Sequence, residues 1–349
     1  MKNFAKKSIA LLICAGMTAA LCACGTTAAD TASQESHKQL FAMDTIMTLT
    51  AYGENGDAGI TAATNTITEL ASMLDPEDSS SPVYALDNAH GAATEVPTQV
   101  TDMIAAARDV YDKTDGALDL STYPLSKLWG FIDLDTTGKG YVPTQAEIDA
   151  CLKKLCFDTM TVDGQKITIP DGSELGFGAV AKGYTSDSVM AAMKAAGVEN
   201  AVVSLGGNVQ TMGQKPDGSK WNVAVEDPSD TSKNLGVLAV GETAVVTSGS
   251  YQRYFEQDGK TYHHILDPHT GYPAESGLKS VTIVCTSGVT ADCLSTAMFV
   301  LGKDAALQYW RTYGGFEMLM VTEDGDIICT SGLEGVFTPN TGCTAAYEK

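Results

Sequence analysis

The stretch TSGSYQRYFEQDGKTYHHILDPHTGYP, Thr247 to Pro273, decides how this chain is read. Three of the five histidines, His263, His264 and His269, fall within seven of its residues. Val245-Val246 before it and Ser280 to Val284 after it are β-branched and apolar, which predicts strands. Asp258-Gly259 predicts a hairpin turn joining Tyr251–Glu256 to Tyr262–Leu266. Asp267-Pro268 and Thr270-Gly271 impose a second turn. Such turns can hold a histidine at the rim of a pocket, within reach of a ligand. The alternative is a hairpin carrying solvated histidines.

Outward from this hairpin, helical and strand patterns both recur. Phe41 to Tyr52 predicts a first strand. Ala58 to Leu74 predicts a helix halted by Asp75-Pro76. Thr98 to Thr114 is amphipathic, with Val100, Ile104, Ala107 and Tyr111 on one face and Gly116 just past its end. Thr144 to Glu147 is a capping box that opens another helix. Val162 and Lys166 to Ile169 flank Asp163-Gly164, a second hairpin signal. There is no internal repeat, no linker after Leu40 and no regular βαβ rhythm. The expectation is α+β: a single domain over 39–349, its mixed, largely antiparallel sheet packed with helices.

Residues 1–23 read as a signal peptide, with Lys2, Lys6 and Lys7 followed by a short apolar run from Ile9 to Ala20. Leu21-Cys22-Ala23-Cys24 resembles a lipobox, which implies cleavage before Cys24 and lipidation of its thiol. Residues 24–38 are rich in Thr, Ala and Ser and read as a flexible tether. The formal charge is −21, and without the three signal lysines it becomes −24. Such an acidic chain has no electrostatic footprint for nucleic acid. It is not drawn to anionic lipid by charge, so the acyl chains must anchor it to the membrane. An anionic substrate needs a local positive centre, a lysine or a metal ion. Beyond the signal and Cys24 the cysteines are Cys151, Cys156, Cys285, Cys293, Cys329 and Cys343, with no CxxC pair, which argues against zinc or a redox dithiol. Cys285 and Cys293 sit in apolar contexts that suit a core.

Four segments can carry chemistry. LGFGAVAKGYTSD, Leu175 to Asp187, puts backbone amides and Lys182 at the start of a helix running to about Ala196. That suits an anion, or simply allows close helix packing. It has neither the Walker order nor a dinucleotide fingerprint. VVSLGGNVQTMG, Val202 to Gly213, runs a strand into Gly206-Gly207-Asn208, where a ligand approaches the backbone or the strand bulges. On a helix through ADCLSTAMFVLG, Ala291 to Gly302, Asp292 and Thr296 point the same way with Ser295 beside them. These oxygens suit Mg²⁺ or Ca²⁺; alternatively Asp292 answers the helix dipole while Thr296 bonds a backbone carbonyl. In Gly116 to Phe131, Asp119, Tyr123 and Trp129 either line a pocket or belong to the core.

In this order the segments resemble the ApbE family, the FAD:protein FMN transferases. The matching stretches are AMDT at Met43, LDPEDSSSPVYALD (Leu74–Asp87), TDGALDLSTYPLSKLWGF (Thr114–Phe131), GAVAKGYTSD (Gly178–Asp187) and VVSLGGNV (Val202–Val209). WNVAVEDP (Trp221–Pro228), the opening hairpin and TADCLSTA (Thr290–Ala297) complete the series, which spans nearly the whole mature chain. The resemblance implies binding of FAD and Mg²⁺, and transfer of FMN to a threonine or serine hydroxyl of an exported acceptor, with loss of AMP. Acceptors of such enzymes include Rnf- and Nqr-type subunits and other extracytoplasmic flavoproteins. Some relatives instead hydrolyse FAD to FMN and AMP, and a non-catalytic flavin-binding lipoprotein is a further alternative. The resemblance also implies that the Ala179 carbonyl, Asp292, Ser295 and Thr296 surround the metal. It implies flavin contacts at Met43, Ala117, Leu118, Asp119, Lys182 and Leu266, and a role in transfer for His264. The lipobox adds a lipid-anchored location on the outer face of the cell membrane. One position departs from the family: an acid commonly stands where this chain has Gly176, so a contact is missing or comes from Glu174.

Overall fold

Turn chemistry sets the strand pairs from the first described residue. The computed structural model describes residues 34–349. The signal peptide, Cys24 and most of the expected tether therefore lie outside the described residues. β1 (Glu35–Ala42) and β2 (Thr45–Tyr52) form a hairpin closed by Met43 and Asp44, both in the left-handed region. This corrects two expectations: residues 35–38 are strand rather than tether, and Phe41–Tyr52 is two strands with a turn. β1 is an edge strand with mostly exposed side chains, so its sequence is polar and reads like a linker.

α1 (Gly56–Leu74) buries Ile60, Ala63, Ile67 and Leu70 at helical spacing. α2 (Pro82–Asp87) and β3 (Thr94–Glu95) lead into α3 (Thr98–Lys113), whose face of Val100, Ile104 and Ala107 is buried as the periodicity predicts. α4 (Tyr123–Leu128), α5 (Leu134–Thr137) and α6 (Gln145–Leu152) follow; α6 opens with the predicted capping box of Thr144 and Glu147. β4 (Thr161–Asp163) and β5 (Lys166–Thr168) pair about Gly164. α7 (Ala181–Ala195) precedes β6 (Asn200–Leu205), β7 (Asn208–Met212), β8 (Trp221–Glu226), β9 (Asn234–Val240) and β10 (Thr243–Gly249). β11 (Tyr254–Gln257) and β12 (Lys260–His263) form the predicted hairpin, with Asp258 and Gly259 both at positive φ. β13 (Leu278–Cys285), α8 (Gly288–Tyr313), β14 (Glu317–Thr322), β15 (Ile327–Thr330), β16 (Phe337–Pro339) and β17 (Ala345–Glu348) complete the chain.

The large sheet has nine strands in the order β1-β2-β6-β7-β10-β13-β14-β15-β17, antiparallel except for the β15–β17 pair. Its two faces explain the apolar runs. On β10, Ala244 and Val246 face the helical core with α3 and α8, while Val245 faces the small sheet β16-β9-β8. A strand covered on both sides must be apolar at consecutive positions. α1 and α7 cover the β2–β6 end. Gly206 and Gly207, at φ 60° and 96°, close the β6–β7 hairpin, so they serve a turn rather than a bulge. A Cβ on Gly206 would strike the Thr45 side chain.

A separate cluster joins α4–α6 to the β11–β12 hairpin. It contains Leu125, Trp129, Phe131, Ile148, Phe255 and Leu266. The Trp129 Nε1–H donates to the Gly271 carbonyl at 2.9 Å, so Trp129 is core and pins the second turn of the motif. All six cysteines beyond Cys24 are unpaired.

Candidate active site

The register of the β11–β12 hairpin determines what His264 can do. The His264 backbone N–H donates to the Arg253 carbonyl at 3.0 Å, and the ring Nδ1 lies 3.1 Å from the same oxygen. A carbonyl only accepts, so Nδ1 carries the proton and Nε2 keeps its lone pair. Burial pushes the imidazole down to about 3, helped by the positive charges of Arg253 and Lys182. The residue as a whole is half-buried. His264 is thus a neutral imidazole at physiological pH, fixed in the tautomer of a proton acceptor.

Its neighbours play other parts. The His263 Nε2–H donates to the Ala274 carbonyl at 3.2 Å, and the ring packs edge-on against Phe299. Burial lowers its pKa to about 4. His269 is exposed and bonds Asp267 within its own turn.

Lys182 occupies the first turn of α7, and its Nζ donates to the Gly178 carbonyl at 3.3 Å. The next residue makes the critical joint. The Gly183 N–H donates to Asp292 Oδ2 at 2.8 Å, tying the start of α7 to α8. A side chain at 183 would collide with the Gly288 carbonyl and come within 2.6 Å of Asp292 Cβ. Asp292 is 4% exposed, and its Oδ1 takes no protein hydrogen bond among the described residues. Ser295 donates to the Asp292 carbonyl at 2.9 Å and lies 2.8 Å from Ser248 Oγ. Ser248 is also 3.3 Å from Thr296 Oγ1. Thr296 therefore faces another hydroxyl rather than a backbone carbonyl. Ser248 was missed as a member of this group; its position on β10, opposite α8, becomes visible only once the sheet is assembled.

The donors gathered here are one buried carboxylate and three hydroxyls, with the half-buried Ala179 on the loop entering α7. An all-oxygen set fits a hard divalent cation. Among the described residues no three His, Cys, Asp or Glu side chains converge as a metal cage. A cation here would rely on a single carboxylate, which suits Mg²⁺ where substrate phosphates supply further ligands.

The remaining expected contacts lie on other segments. Met43 sits in the β1–β2 turn, and its Sδ lies 3.8 Å from Thr185 of α7. Ala117 and Leu118 are buried, and Asp119 caps the next turn by accepting the Ser121 N–H and Oγ–H. Burial raises the Asp119 pKa against those bonds. The following Leu120 carbonyl accepts from Gly176 N–H at 2.8 Å, which places this segment against the loop leading to α7. The Leu266 side chain points into the aromatic cluster, which leaves only its backbone for a ligand. At Gly176 a Cβ would sit 3.0 Å from the Tyr123 ring, a tight fit. Glu174, the alternative acid, pairs with Lys127 at 2.7 Å.

The chain is similar to known proteins over most of its length. The ApbE family profile matches residues 43–320. A FAD:protein FMN transferase of Klebsiella pneumoniae is 36% identical over 251 residues, 70% of this chain and 75% of the relative. A FAD:protein FMN transferase of Treponema pallidum is 28% identical over 347 residues, 93% of each chain. Among solved structures, an ApbE protein from Thermotoga maritima superimposes with a TM-score of 0.81 at 30% identity, covering 87% of this chain and all of that one. The flavin transferase ApbE from Vibrio cholerae gives 0.78 at 26% identity, covering 87% of this chain and 99% of that one.

Proposed function

We propose, for a chain that belongs to the ApbE family, that it transfers FMN from FAD to a threonine or serine hydroxyl of an exported acceptor protein and releases AMP. The observation that carries this reading is His264, a neutral imidazole with Nδ1–H held by the Arg253 carbonyl beside the Lys182 charge. Its Nε2 takes the proton of the acceptor hydroxyl, and that oxygen forms a bond to the FMN phosphorus. The phosphoanhydride bond breaks, and its electron pair leaves with AMP. The Lys182 ammonium binds the pyrophosphate, because the Ala181, Gly183 and Tyr184 amides of that turn already donate to Phe177, Asp292 and Val180. Met43, Ala117, Leu118, Asp119 and the Leu266 backbone line the flavin and adenosine ends. Asp292, Ser295, Thr296 and the Ala179 carbonyl would hold Mg²⁺, which supplies neutralisation of the charge developing on the phosphates.

Intact mass spectrometry tests the reading. The protein from Gly25 onward is mixed with FAD, Mg²⁺ and a flavin-free Rnf-type flavoprotein subunit. It should begin well before Ser36, which is buried and donates to Asp57 at 2.6 Å. The expected result is an acceptor heavier by FMN less water, abolished by EDTA. Free FMN and AMP without that gain would mean hydrolysis instead. We further propose that Cys24 carries the lipid anchor, which puts the enzyme on the outer face of the cell membrane beside its acceptors. Incorporation of labelled palmitate should vanish in Cys24→Ala.

A further inference from the structure

The β11–β12 hairpin forms a sheet of its own, and among the described residues β11 pairs with no other strand. Its register states which way each backbone group points. The Arg253–His264 pair is hydrogen-bonded across the ladder, and Tyr254–His263 is the next pair along. In an antiparallel ladder bonded and non-bonded pairs alternate. Tyr254 and Glu256 therefore turn their N–H and C=O groups away from β12. That open edge borders a depression of about 740 Å³, with Gln252–Gln257 on one wall and Leu134, Asp135 and Gly138–Gly140 on the other. The far wall is held in place from two directions. Arg253 Nη2 pairs with Asp135 Oδ2 at 2.7 Å, and Gly140 lies so close to the Phe255 ring that a Cβ would enter it.

We propose that this edge is where the acceptor protein docks, by laying an extended segment alongside β11 as a third strand. The inference rests on the transferase reading given above. Arg253 supplies the continuity: its side chain borders the depression while its carbonyl orients His264. An acceptor hydroxyl that reaches His264 by way of Arg253 brings its flanking chain onto the β11 edge, the edge of this two-stranded sheet that borders the depression. Open edges bind chains through main-chain hydrogen bonds, with little demand on side-chain identity. The charged lining residues, Asp135, Lys139, Arg253 and Glu256, sum to zero in a chain carrying −21. The site therefore selects an extended hydroxyl-bearing segment rather than a charge pattern. At about 3.3 Å per residue, four residues cover the length of β11.

The test separates backbone from side chain. Glu256→Pro removes an outward N–H without touching the β12 ladder, and the residue before proline stays extended. Glu256→Ala removes only the side chain. With the Rnf-type subunit as acceptor, Glu256→Pro should raise the acceptor KM roughly tenfold, about the worth of one net hydrogen bond. FAD binding should be unchanged, and Glu256→Ala, which keeps the N–H, should raise the acceptor KM far less than Glu256→Pro. Equal KM values in all three proteins would overturn the proposal. Should Glu256→Pro lose FAD binding, hydrogen exchange on the wild-type protein decides. The Tyr254 and Glu256 amides should slow when the acceptor is added, and unchanged exchange would overturn docking at this edge. A wild-type protein that transfers to no acceptor would sink the transferase reading first, before any variant is made.

Discussion

Gly183→Ala is the sharpest perturbation of the candidate site, because it adds one methyl group at the joint between α7 and α8. The new Cβ meets the Gly288 carbonyl, which is backbone, and lies 2.6 Å from Asp292 Cβ. Neither neighbour is the free end of a flexible side chain, so the helices must part. Overpacking of this kind costs about 1–3 kcal/mol. At about 2 °C per kcal/mol for a chain of this size, the melting temperature should fall by about 2–6 °C. The functional loss should be larger. The same separation lengthens the 2.8 Å bond from Gly183 N–H to Asp292 and shifts Lys182 relative to His264. A displacement near 1 Å typically costs about a hundredfold in rate. Single-turnover transfer of FMN to the flavin-free subunit, followed by mass, measures the rate, and a thermal melt measures the fold. A variant that melts and transfers like wild type would refute the close contact itself. A lowered melting temperature with an intact rate would show that Asp292 and Lys182 stand outside the chemistry.

Asp292→Asn keeps an oxygen for the Gly183 N–H but removes the charge, so Mg²⁺ stimulation of transfer should disappear while the metal-free melting temperature moves by less than about 2 °C. His264→Gln should lose transfer by at least about a hundredfold with FAD affinity retained, as measured by flavin fluorescence titration. Because burial lowers His264 to about 3, kcat/KM for wild type should show no acid limb near pH 6.5; such a limb would contradict the buried neutral ring. Below pH 6.5 the unfolded chain takes up protons that native His263 and His264 refuse, so stability falls as pH drops towards 4. Asp87, raised to about 7 mainly by burial, titrates in the opposite sense and offsets part of that loss. His263→Phe should accordingly shrink the difference in melting temperature between pH 7 and pH 5, and an unchanged difference would refute the assignment.

Much of the fold was legible because its signals are local. Asp258-Gly259 and Asp163-Gly164 close hairpins through backbone angles set by two residues. The Thr144–Glu147 capping box and the periodicity of Thr98–Lys113 are equally self-contained. Asp292, Ser295 and Thr296 share a helix face by spacing alone, so that part of the site could be read from the chain. What the sequence could not supply are relations between distant residues. β1 read as linker because an edge strand needs few apolar side chains. Ser248 joins Ser295 across 47 positions, and Gly183 meets Asp292 across 109. Trp129 turned out to be core because Gly271, 142 residues away, accepts its N–H. The His264 tautomer follows from the pairing of β11 with β12, and the ring's neutrality from burial beside Arg253 and Lys182. Residue types and short spacings name the chemistry available. Distances, burial and protonation belong to the assembled sheet and helices, because each depends on groups that only folding brings together.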